Sequence, residues 1–457
     1  MNGSRKFDAV IVGTGQAGPP LAGRMTREGM KVAIVERKLI GGTCVNIGCT
    51  PTKALVASAR AAHMARRAAD FGVETGGPVT VDMKRVKARK DAIVAQSHDG
   101  LADWLRNMEN LTVIEGHARL ESATAVRVNG ELLESERIIL NVGARARVPD
   151  LPGIGEVAYL TDSSMMEIDF LPDHLAVIGG SYLGLEFAQM YRRFGSRVTV
   201  IEKGDRLVGR EDEEISAAVR DILEGEDIDV RTGADILRLG RRDGAVTVGL
   251  KSGEVVASHV LLAVGRTPNT DDLGLSAAGV DTDDAGHIEV DDRLRTSVPG
   301  IWAVGDVNGR GAFTHTSYND YEILAANMFD DDPRRVSDRI PCYAMYIDPP
   351  LGRVGMSEAE ARESGRRVLV GTRGMEDVSR ARERSETQGL MKVLVDADSE
   401  RILGASILGI GGDEAVHSLI DAMYADAPYT TVKRAVHIHP TVSELIPTLL
   451  GDLAPLD

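Results

Sequence analysis

Two segments of the chain share one order of apolar, glycine and acidic positions. In each, a short apolar run is followed by a glycine-rich turn, a helical stretch and a second apolar run that ends at an acidic residue. This order predicts a strand, a helix and a second strand, which together form a βαβ unit. The first glycine and the acidic residue are 23 residues apart in both segments, in the pairs Gly13 with Glu36 and Gly179 with Glu202. The chain therefore contains two predicted copies of one unit.

The remaining pattern predicts a long helix, further short strands and a separate C-terminal region. A helix is predicted over residues 84–108, and residues 111–140 alternate in the manner of antiparallel strands joined by turns such as Asn129-Gly130. Short strands are predicted near residues 261–264 and 300–304. The C-terminal region combines two predicted strands with a helix, at 390–395, 402–408 and 414–425.

Turn-rich and charged stretches mark the domain boundaries. Residues 148–153 are rich in proline and glycine, and residues 329–338 are charged and contain Pro333. A chain of 457 residues has the length of about three domains. We therefore expect domains to end near residues 148 and 335.

The glycines and acids of the repeat predict nucleotide binding. Glycines there allow a tight turn and let a pyrophosphate approach a helix N-terminus, and the acidic residue accepts hydrogen bonds from ribose hydroxyls. The alternative is a glycine turn with only a structural role, but two matched units favour the nucleotide. In the second unit Ser181 replaces the middle glycine. The glycines are Gly13, Gly15 and Gly18 in the first unit and Gly179 and Gly184 in the second.

Composition excludes several classes of protein. With 43% hydrophobic and 27% charged residues and no apolar run of about 18 residues, the chain is typical of a soluble globular protein without a membrane span. The net charge of -16 opposes binding to nucleic acid or to an anionic membrane. Three cysteines are too few for an extracellular disulfide framework, and no secretory leader is evident, so we expect a cytoplasmic protein.

Two of the cysteines predict redox chemistry. Cys44 and Cys49 lie five residues apart in a segment that follows the first unit, and Gly48 and Pro51 favour a helix that begins near Cys49. The positive end of that helix and Lys53 would favour the thiolate of Cys49. The alternatives are two buried structural cysteines or half of a metal site. No second Cys/His pair completes four metal ligands, so we predict no metal site.

The third cysteine and a C-terminal histidine are the other candidates. Cys342 is expected to be a packing residue. His439 precedes a proline, which favours an extended conformation, and its imidazole could exchange protons with thiols. Glu444 could orient that imidazole. Alternatively, Thr441 and Glu444 form a helix capping box, and Glu444 has no catalytic role.

Together these segments resemble the class I flavoprotein disulfide reductases, the group that includes dihydrolipoamide dehydrogenase, glutathione reductase and mercuric reductase. The resemblance covers essentially the whole chain. It rests on Gly13-x-Gly15-x-x-Gly18 with Glu36, the Cys44/Cys49 segment, Gly179 to Glu186, Gly265-Arg266-x-Pro268-Asn269, Gly305-Asp306 and His439-Pro-Thr-Val-Ser-Glu444.

The resemblance implies an α/β fold of two Rossmann-like domains, one for FAD and one for NAD(P), with a C-terminal α+β dimerisation domain. Residues 1–148 and 270–335 would form the FAD-binding domain, residues 149–269 the NAD(P)-binding domain and residues 336–457 the dimerisation domain. The implied cofactor-binding residues are Gly13, Gly15, Gly18, Glu36, Gly42, Thr43, Lys53, Gly143, Gly179, Tyr182, Gly184, Glu202, Gly265, Arg266, Gly305 and Asp306.

The resemblance also implies the catalytic roles. Cys44 would attack the substrate, and Cys49 would be the thiolate that lies against the flavin. Lys53 paired with Glu186 would lie near the flavin, and Tyr182 would cover the nicotinamide pocket until the nucleotide arrives. His439 with Glu444 would come from the partner subunit as the acid-base pair of a homodimer. Electrons would pass from NAD(P)H through FAD to a Cys44-Cys49 disulfide and then to the substrate.

Nucleotide and substrate are predicted less specifically. Glu202 would repel a 2'-phosphate, which favours NADH, although Lys203 and Arg206 could compensate. Within the family, three segments resemble the mercuric-reductase-like branch, which includes reactive-chlorine-resistance flavoproteins: residues 16–22, 318–321 and 348–356.

Three functions remain open at this point. The first is reduction of a small disulfide or metal ion, without efficient mercury handling because no vicinal cysteine pair stands near residue 457. The second is dihydrolipoamide dehydrogenase activity, and the third is a non-catalytic FAD-binding assembly subunit. Glutathione reduction is not expected, since Gly23 stands where a glutathione-binding arginine would be expected.

Overall fold

The computed structural model describes residues 4–456 of the chain. Its first layer is a five-stranded parallel sheet whose central strands are buried on both faces, which suits their continuous apolar sequences, while the edge strand Leu111–Glu115 is only partly buried. Helices Gly18–Arg27 and Thr314–Phe329 contact each other beside this sheet. The strands, in spatial order, are Ile301–Ala303, Ile138–Leu140, Ala9–Val12, Val32–Glu36 and Leu111–Glu115.

The second layer repeats the topology of four of these strands. Its five parallel strands are, in spatial order, Tyr159–Leu160, His259–Leu262, His174–Ile178, Arg197–Ile201 and Asp229–Arg231. The edge strand differs, because Tyr159–Leu160 precedes its unit in the chain and Ile301–Ala303 follows its unit. The repeat predicted from the glycine and acidic positions therefore extends to four strands of each sheet.

In each unit, the chain forms a small antiparallel sheet between two successive strands of the parallel sheet. In the first unit the strands are Ala118–Ser122, Ala125–Val128 and Glu131–Glu134, the last of which also pairs in parallel with Ser4–Lys6. In the second they are Ile236–Arg242, Ala245–Leu250 and Gly253–Ala257. Ala144–Ala146 and Arg266–Pro268 form a separate antiparallel pair.

The prediction of antiparallel strands over residues 111–140 is therefore wrong at both ends. Leu111–Glu115 and Ile138–Leu140 are parallel strands of the main sheet, and only the residues between them form the small antiparallel sheet. Ile138, Ile139 and Leu140 are all fully buried, so their sequence carries no alternation.

The C-terminal region is a six-stranded antiparallel sheet with helices packed on it. The strands, in order, are Cys342–Met345, Leu351–Gly355, Ile402–Leu408, Leu390–Asp396, Val368–Gly374 and Ala454–Pro455. The helix predicted over residues 414–425 is divided at Val416 into Gly412–Ala415 and His417–Tyr424.

The α-helices range from one turn to 24 residues in length. Those not yet given are Gly42–Asn46, Cys49–Arg66, Met83–Arg106, Asp162–Met165, Tyr182–Phe194, Glu213–Glu224, Leu275–Ala278, Glu358–Glu363, Ser379–Glu383, Tyr429–Lys433 and Ile446–Leu449. Within residues 4–456, no helix combines the length and the apolar character needed to cross a lipid bilayer.

Buried charges join the three regions around one aspartate. Asp348, which precedes the strand Leu351–Gly355, forms ion pairs with Arg60 and Arg193. Arg193 also pairs with Glu226 at 2.7 Å, and Arg60 pairs with Glu386 at 2.9 Å. Because each buried charge has an opposite partner, this cluster fixes the relative placement of helices from both nucleotide units and the C-terminal sheet.

Candidate active site

A short helix and the first residue of a longer one place Cys44 and Cys49 next to the same threonine hydroxyl. Cys44 lies in the helix Gly42–Asn46, and Cys49 is the first residue of the helix Cys49–Arg66. Gly48, between them, has φ -112° and ψ -114°, outside the regular regions, which provides the predicted break. Thr314 Oγ1 lies 3.0 Å from Cys44 Sγ and 3.1 Å from Cys49 Sγ. Both cysteines are free thiols in the structure.

The pKa values of the two thiols are shifted in opposite directions. A hydrogen bond from Cys44, another with Thr314 and the charge of Lys53 together lower the pKa of Cys49 to about 6, although burial opposes them. The pKa of Cys44 is raised, chiefly by its interaction with Cys49 and by burial. The pair thus contains one stable thiolate and one protonated thiol at neutral pH.

Lys53 is held next to this pair by a buried carboxylate. Its Nζ lies 2.8 Å from Glu186 Oε2, and Glu186 Oε1 accepts a hydrogen bond of 2.8 Å from the backbone N–H of Tyr346. The ammonium also lies 4.4 Å from the ring centroid of Tyr346. Glu186 is only 3% exposed, so its carboxylate lies in a region of low dielectric. Its hydrogen bond with Lys53 orients the ammonium group.

The first glycine turn forms a close cradle over Asn141. Gly13 has φ +105°, and a Cβ there would lie 2.2 Å from the carbonyl oxygen of Asn141. A Cβ at Gly18 would lie 2.5 Å from the carbonyl oxygen of Gly13. The side-chain Nδ2 of Asn141 is buried beneath this turn without a hydrogen-bond partner. A buried donor beside a glycine turn and a helix N-terminus fits the pyrophosphate of a dinucleotide.

Other predicted residues surround this cradle. Gly42 has φ +60°, and a Cβ there would lie 3.1 Å from the Cα of Gly15. Thr43 follows it in the same short helix. Gly143 continues the chain after Asn141 and accepts a hydrogen bond of 3.0 Å from the backbone of Asn269.

Two carboxylates stand at the carboxyl ends of parallel strands. Glu36 Oε2 accepts hydrogen bonds from Thr14 N at 3.0 Å and from Thr14 Oγ1 at 2.6 Å. Asp306 follows the strand Ile301–Ala303, and burial raises the pKa of its carboxyl group. Arg266 Nε lies 3.5 Å from Asp306 Oδ2, and Arg266 Nη1 donates to Asp162 at 3.0 Å. Strand carboxyl ends are where open α/β sheets bind their ligands.

Gly305 and Gly265 shape the backbone beside Asp306 and Arg266. The N–H of Gly305 donates to Asp320 at 2.7 Å, and the carbonyl of Gly265 accepts from the backbone of Arg147 at 2.9 Å.

The second glycine turn reproduces the first. Gly179 has φ +114°, and a Cβ there would lie 2.3 Å from the carbonyl oxygen of Ala263. A Cβ at Gly184 would lie 2.2 Å from the carbonyl oxygen of Gly179. The carboxylate of Glu202 accepts from the backbone N–H of Gly180 at 2.6 Å. Tyr182, at the start of the helix Tyr182–Phe194, is half-buried, and its hydroxyl donates to Glu211 at 2.7 Å.

His439 and Glu444 form a pair at the surface of the C-terminal region. His439 Nδ1 lies 2.8 Å from Glu444 Oε2, and the imidazole is 72% exposed. The backbone N–H of Glu444 donates to Thr441 Oγ1 at 3.2 Å, so Thr441 performs its half of the predicted capping box. The Glu444 side chain contacts the histidine. Within residues 4–456, His439 makes no hydrogen bond or ion pair to either cysteine of its own chain.

Four site residues were not predicted: Asn141, Glu211, Thr314 and Tyr346. Asn141 follows a parallel strand and would have been found had that strand been assigned to the main sheet. Thr314 is 265 residues from Cys49 in sequence, and no local pattern connects them. Within residues 4–456, no group of three or more His, Cys, Asp or Glu side chains is arranged to hold a metal ion.

Comparison with known proteins gives consistent matches. The family described as pyridine nucleotide-disulphide oxidoreductase matches residues 7–320, and its dimerisation domain matches residues 342–450, which supports a homodimer. The chain is 35% identical to the probable pyridine nucleotide-disulfide oxidoreductase RclA of Escherichia coli, over 98% of this chain and 99% of that protein.

Two further relatives are named for other activities. The chain is 32% identical to a dihydrolipoyl dehydrogenase of Thermus scotoductus, over 96% of each chain, and 32% identical to a mercuric reductase of Streptomyces lividans, over 98% of each chain.

A solved structure extends the similarity to the fold. The Cu(II) complex of the HOCl-induced flavoprotein disulfide reductase RclA from Escherichia coli superposes with a TM-score of 0.90 at 34% identity, covering 97% of this chain and 99% of that chain. The chain therefore belongs to the class I pyridine nucleotide-disulphide oxidoreductase family, and it is an NAD(P)H-dependent flavoprotein enzyme whose cofactor is FAD.

Proposed function

We propose that this enzyme reduces a small disulfide or a metal ion, with Cys44 and Cys49 as its redox pair. The observation that supports this most strongly is the contact of both sulfurs with the Thr314 hydroxyl, combined with the opposite acidities of the two thiols. Two structural cysteines would need neither feature. The intact pair also argues against a non-catalytic FAD-binding subunit.

The residues of the first unit fit FAD. We assign its pyrophosphate to the cradle of Gly13, Gly15 and Gly18, where Asn141 Nδ2 supplies a free donor. Glu36 and Asp306 would accept from its hydroxyl groups at the carboxyl ends of strands on opposite sides of Ala9–Val12. When bound, FAD supplies the transfer of an electron pair from NAD(P)H to the protein disulfide.

The cysteines then divide the disulfide exchange between them. In the dithiol form, Cys44 gives its proton to a base and attacks one sulfur of the substrate as a thiolate, and the other substrate sulfur leaves as a thiolate that takes up that proton. Cys49 next attacks Cys44, which releases the second substrate thiolate and forms the Cys44-Cys49 disulfide. The two electrons lost by the cysteine pair equal those gained by the substrate. For a metal ion, the two sulfurs give up two electrons and the Cys44 proton to form the Cys44-Cys49 disulfide, which reduces two Cu(II) ions to Cu(I) or one Hg(II) ion to Hg(0).

We assign the proton transfers to His439 and Glu444 of the partner subunit. Glu444 contacts Nδ1, which leaves Nε2 available to a thiol or thiolate. The imidazole is largely exposed on its own chain and has no bond there to either cysteine. A second copy that covers this surface would bring Nε2 to the other chain's Cys44.

NADH is the proposed reductant. The Glu202 carboxylate stands at the end of its strand, where it would accept from a 2'-hydroxyl and repel a 2'-phosphate. The exposed Arg206 donates to the carbonyl of Gly209 at 3.1 Å, so it is engaged within its own loop. We expect a higher kcat/KM with NADH than with NADPH.

The substrate class follows from the site and from the relatives. The RclA structure contains Cu(II), so Cu(II) is a candidate oxidant here together with small disulfides. A Cβ at Gly23 would lie 3.2 Å from the Trp104 ring, so Trp104 occupies the place that a longer side chain would need for glutathione. Dihydrolipoamide dehydrogenase activity is the second candidate because the relatives include that enzyme. The single closely spaced cysteine pair is consistent with a cytoplasmic enzyme.

Thiol titration after anaerobic addition of NADH tests the proposed redox pair. We expect two new thiols per chain in the wild type, and none in Cys44→Ser with its FAD still bound. Two new thiols in Cys44→Ser would contradict the assignment. A wild type that binds FAD but shows no new thiols would favour the non-catalytic subunit.

Steady-state assays then separate the substrates. The panel is Cu(II), Hg(II), small disulfides, oxidised glutathione, and dihydrolipoamide with NAD⁺. We expect turnover with Cu(II) or a small disulfide to exceed turnover with glutathione or dihydrolipoamide. Faster turnover with dihydrolipoamide would establish the second candidate instead.

A further inference from the structure

A buried carboxylate outside the redox centre connects the nucleotide site to the C-terminal sheet. Glu211 is 1% exposed, and its Oε1 accepts two hydrogen bonds of 2.7 Å, from the hydroxyls of Tyr182 and Tyr343. The two rings meet edge to face with centroids 5.5 Å apart. We propose that Glu211 is a positioning residue that latches Tyr182 in the closed position over the nicotinamide pocket, an inference that rests on the role proposed for Tyr182.

The latch residues are fixed by the C-terminal sheet. Tyr343 and Arg353 lie directly opposite each other on paired strands. Arg353 Nε is 3.5 Å from Glu211 Oε2, and Arg353 is 3% exposed, so it compensates the buried carboxylate charge. Burial raises the pKa of both tyrosines, which keeps their hydroxyls protonated as donors.

The residue after Glu211 is tied to the same sheet. Asp212 Oδ1 accepts from the backbone N–H of Glu358 at 2.8 Å, and Asp212 Oδ2 lies 3.3 Å from Lys392 Nζ. Glu211 therefore stays in place when Tyr182 moves. Swinging Tyr182 aside breaks one hydrogen bond of Glu211, while the hydrogen bond from Tyr343, the ion pair with Arg353 and the hydrogen bond from the Glu211 backbone N–H to the Val208 carbonyl remain.

The latch affects nucleotide affinity through the closed population. Tyr182 begins the helix whose N-terminus follows the glycine turn of the second unit. In the role that the family resemblance implies for it, its ring moves aside before the nicotinamide enters. A bond that favours the closed position lowers the fraction of enzyme ready to bind and weakens the apparent affinity by the same factor.

A double-mutant cycle with NAD⁺ as an unreactive probe tests this proposal on the FAD-containing dimer. Tyr182→Phe and Glu211→Gln should each lower the Kd for NAD⁺ by about three- to tenfold, because each weakens the same bond. Adding Glu211→Gln to Tyr182→Phe should change the Kd little further. Tyr343→Phe is the matched control, since it removes an equivalent hydroxyl but leaves the bond to Tyr182, and it should change the Kd less than about twofold.

Several results would overturn the latch. Equal effects of Tyr182→Phe and Tyr343→Phe, additive effects in the double variant, or an unchanged Kd in Tyr182→Phe would each show that Glu211 has only a structural role. If Glu211→Gln does not fold, the comparison of the two Tyr→Phe variants still decides. Thiol titration of the wild type with NADH separates the latch from the proposed redox function. New thiols in the wild type, together with an unchanged Kd for NAD⁺ in the variants, would reject the latch alone. A wild type that neither binds NAD⁺ nor is reduced rejects both.

Discussion

Thr314 places its hydroxyl within 3.1 Å of both sulfurs of the proposed redox pair. Its hydrogen bond lowers the pKa of Cys49, as do the larger effect of the hydrogen bond from Cys44 and the smaller effects of the Lys53 charge and a backbone hydrogen bond. With a pKa of about 6, Cys49 is mainly thiolate above that pH and mainly thiol below it. The acidity of Cys49 therefore depends on side chains from two distant parts of the chain.

Replacing Thr314 by valine should make Cys49 less acidic. Thr314→Val removes the hydrogen bond but keeps the shape, so the pKa of Cys49 should rise by about one unit, and the thiolate fraction at pH 7 should fall. The measurement is the pH dependence of Cys49 alkylation in the reduced protein, followed by mass spectrometry. Thr314→Ser keeps the hydroxyl and should retain the wild-type midpoint. An unchanged midpoint in Thr314→Val would remove Thr314 from the site.

At the scale of elements, the two βαβ units depend on equivalent close contacts. Gly18 and Gly184 each allow the following helix to touch the first glycine of its turn, with distances of 2.5 and 2.2 Å from a built Cβ to the glycine carbonyl oxygen. A methyl group cannot fit there without moving the helix. The contact explains why both units need glycine at this position even apart from the nucleotide.

A pair of Gly→Ala substitutions should therefore have opposite effects. Gly18→Ala forces the helix Gly18–Arg27 from its strand and should destabilise the protein by about 1–3 kcal/mol, with less bound FAD. Gly100→Ala is the matched control because Gly100 is exposed within the helix Met83–Arg106 and a Cβ there meets nothing within 4 Å. It should stabilise the protein by up to about 1 kcal/mol. Thermal unfolding measures both, and equal shifts would contradict the close contact.

At the scale of the whole molecule, two apolar side chains beside His439 are exposed. Val436 is 99% exposed and Ile438 is 79% exposed on the single chain. Two adjacent apolar side chains in water favour a partner surface that covers them. The dimerisation domain identified at residues 342–450 includes both.

Mixed dimers can show whether His439 serves the other chain. A heterodimer of a Cys44→Ser chain with a His439→Gln chain keeps one complete site if the histidine comes from the partner, so it should have about half of the wild-type activity. The preparation uses two affinity tags, and the measurement is NADH-dependent turnover of the best substrate in the panel.

The reciprocal heterodimer is the control. It carries both substitutions in one chain, which spoils both sites if the histidine crosses the interface. We therefore expect it to be nearly inactive. Half activity in this dimer, with none in the first, would place His439 in the site of its own chain.

Local sequence predicted much of the fold because its determinants lie close together in the chain. The βαβ repeat depends on glycine spacing and on apolar runs within about 30 residues, and both units form as predicted. The break before Cys49 follows from Gly48 and Pro51 in the same segment. By contrast, the sequence predicts antiparallel pairing for Ile138–Leu140, which is wrong, because the sequence of a short buried strand does not indicate which strand it will pair with.

The sequence by itself determined the glycine turns, the cysteine pair and the family, since each is a pattern of residue types at short spacing. Only the tertiary structure decided that Thr314 lies against both sulfurs, that Asn141 lies beneath the first turn and that Glu211 holds Tyr182. These contacts join residues that are distant in the chain through parallel pairing and domain packing. Their geometry depends on how many strands and helices assemble together, and no local spacing encodes it.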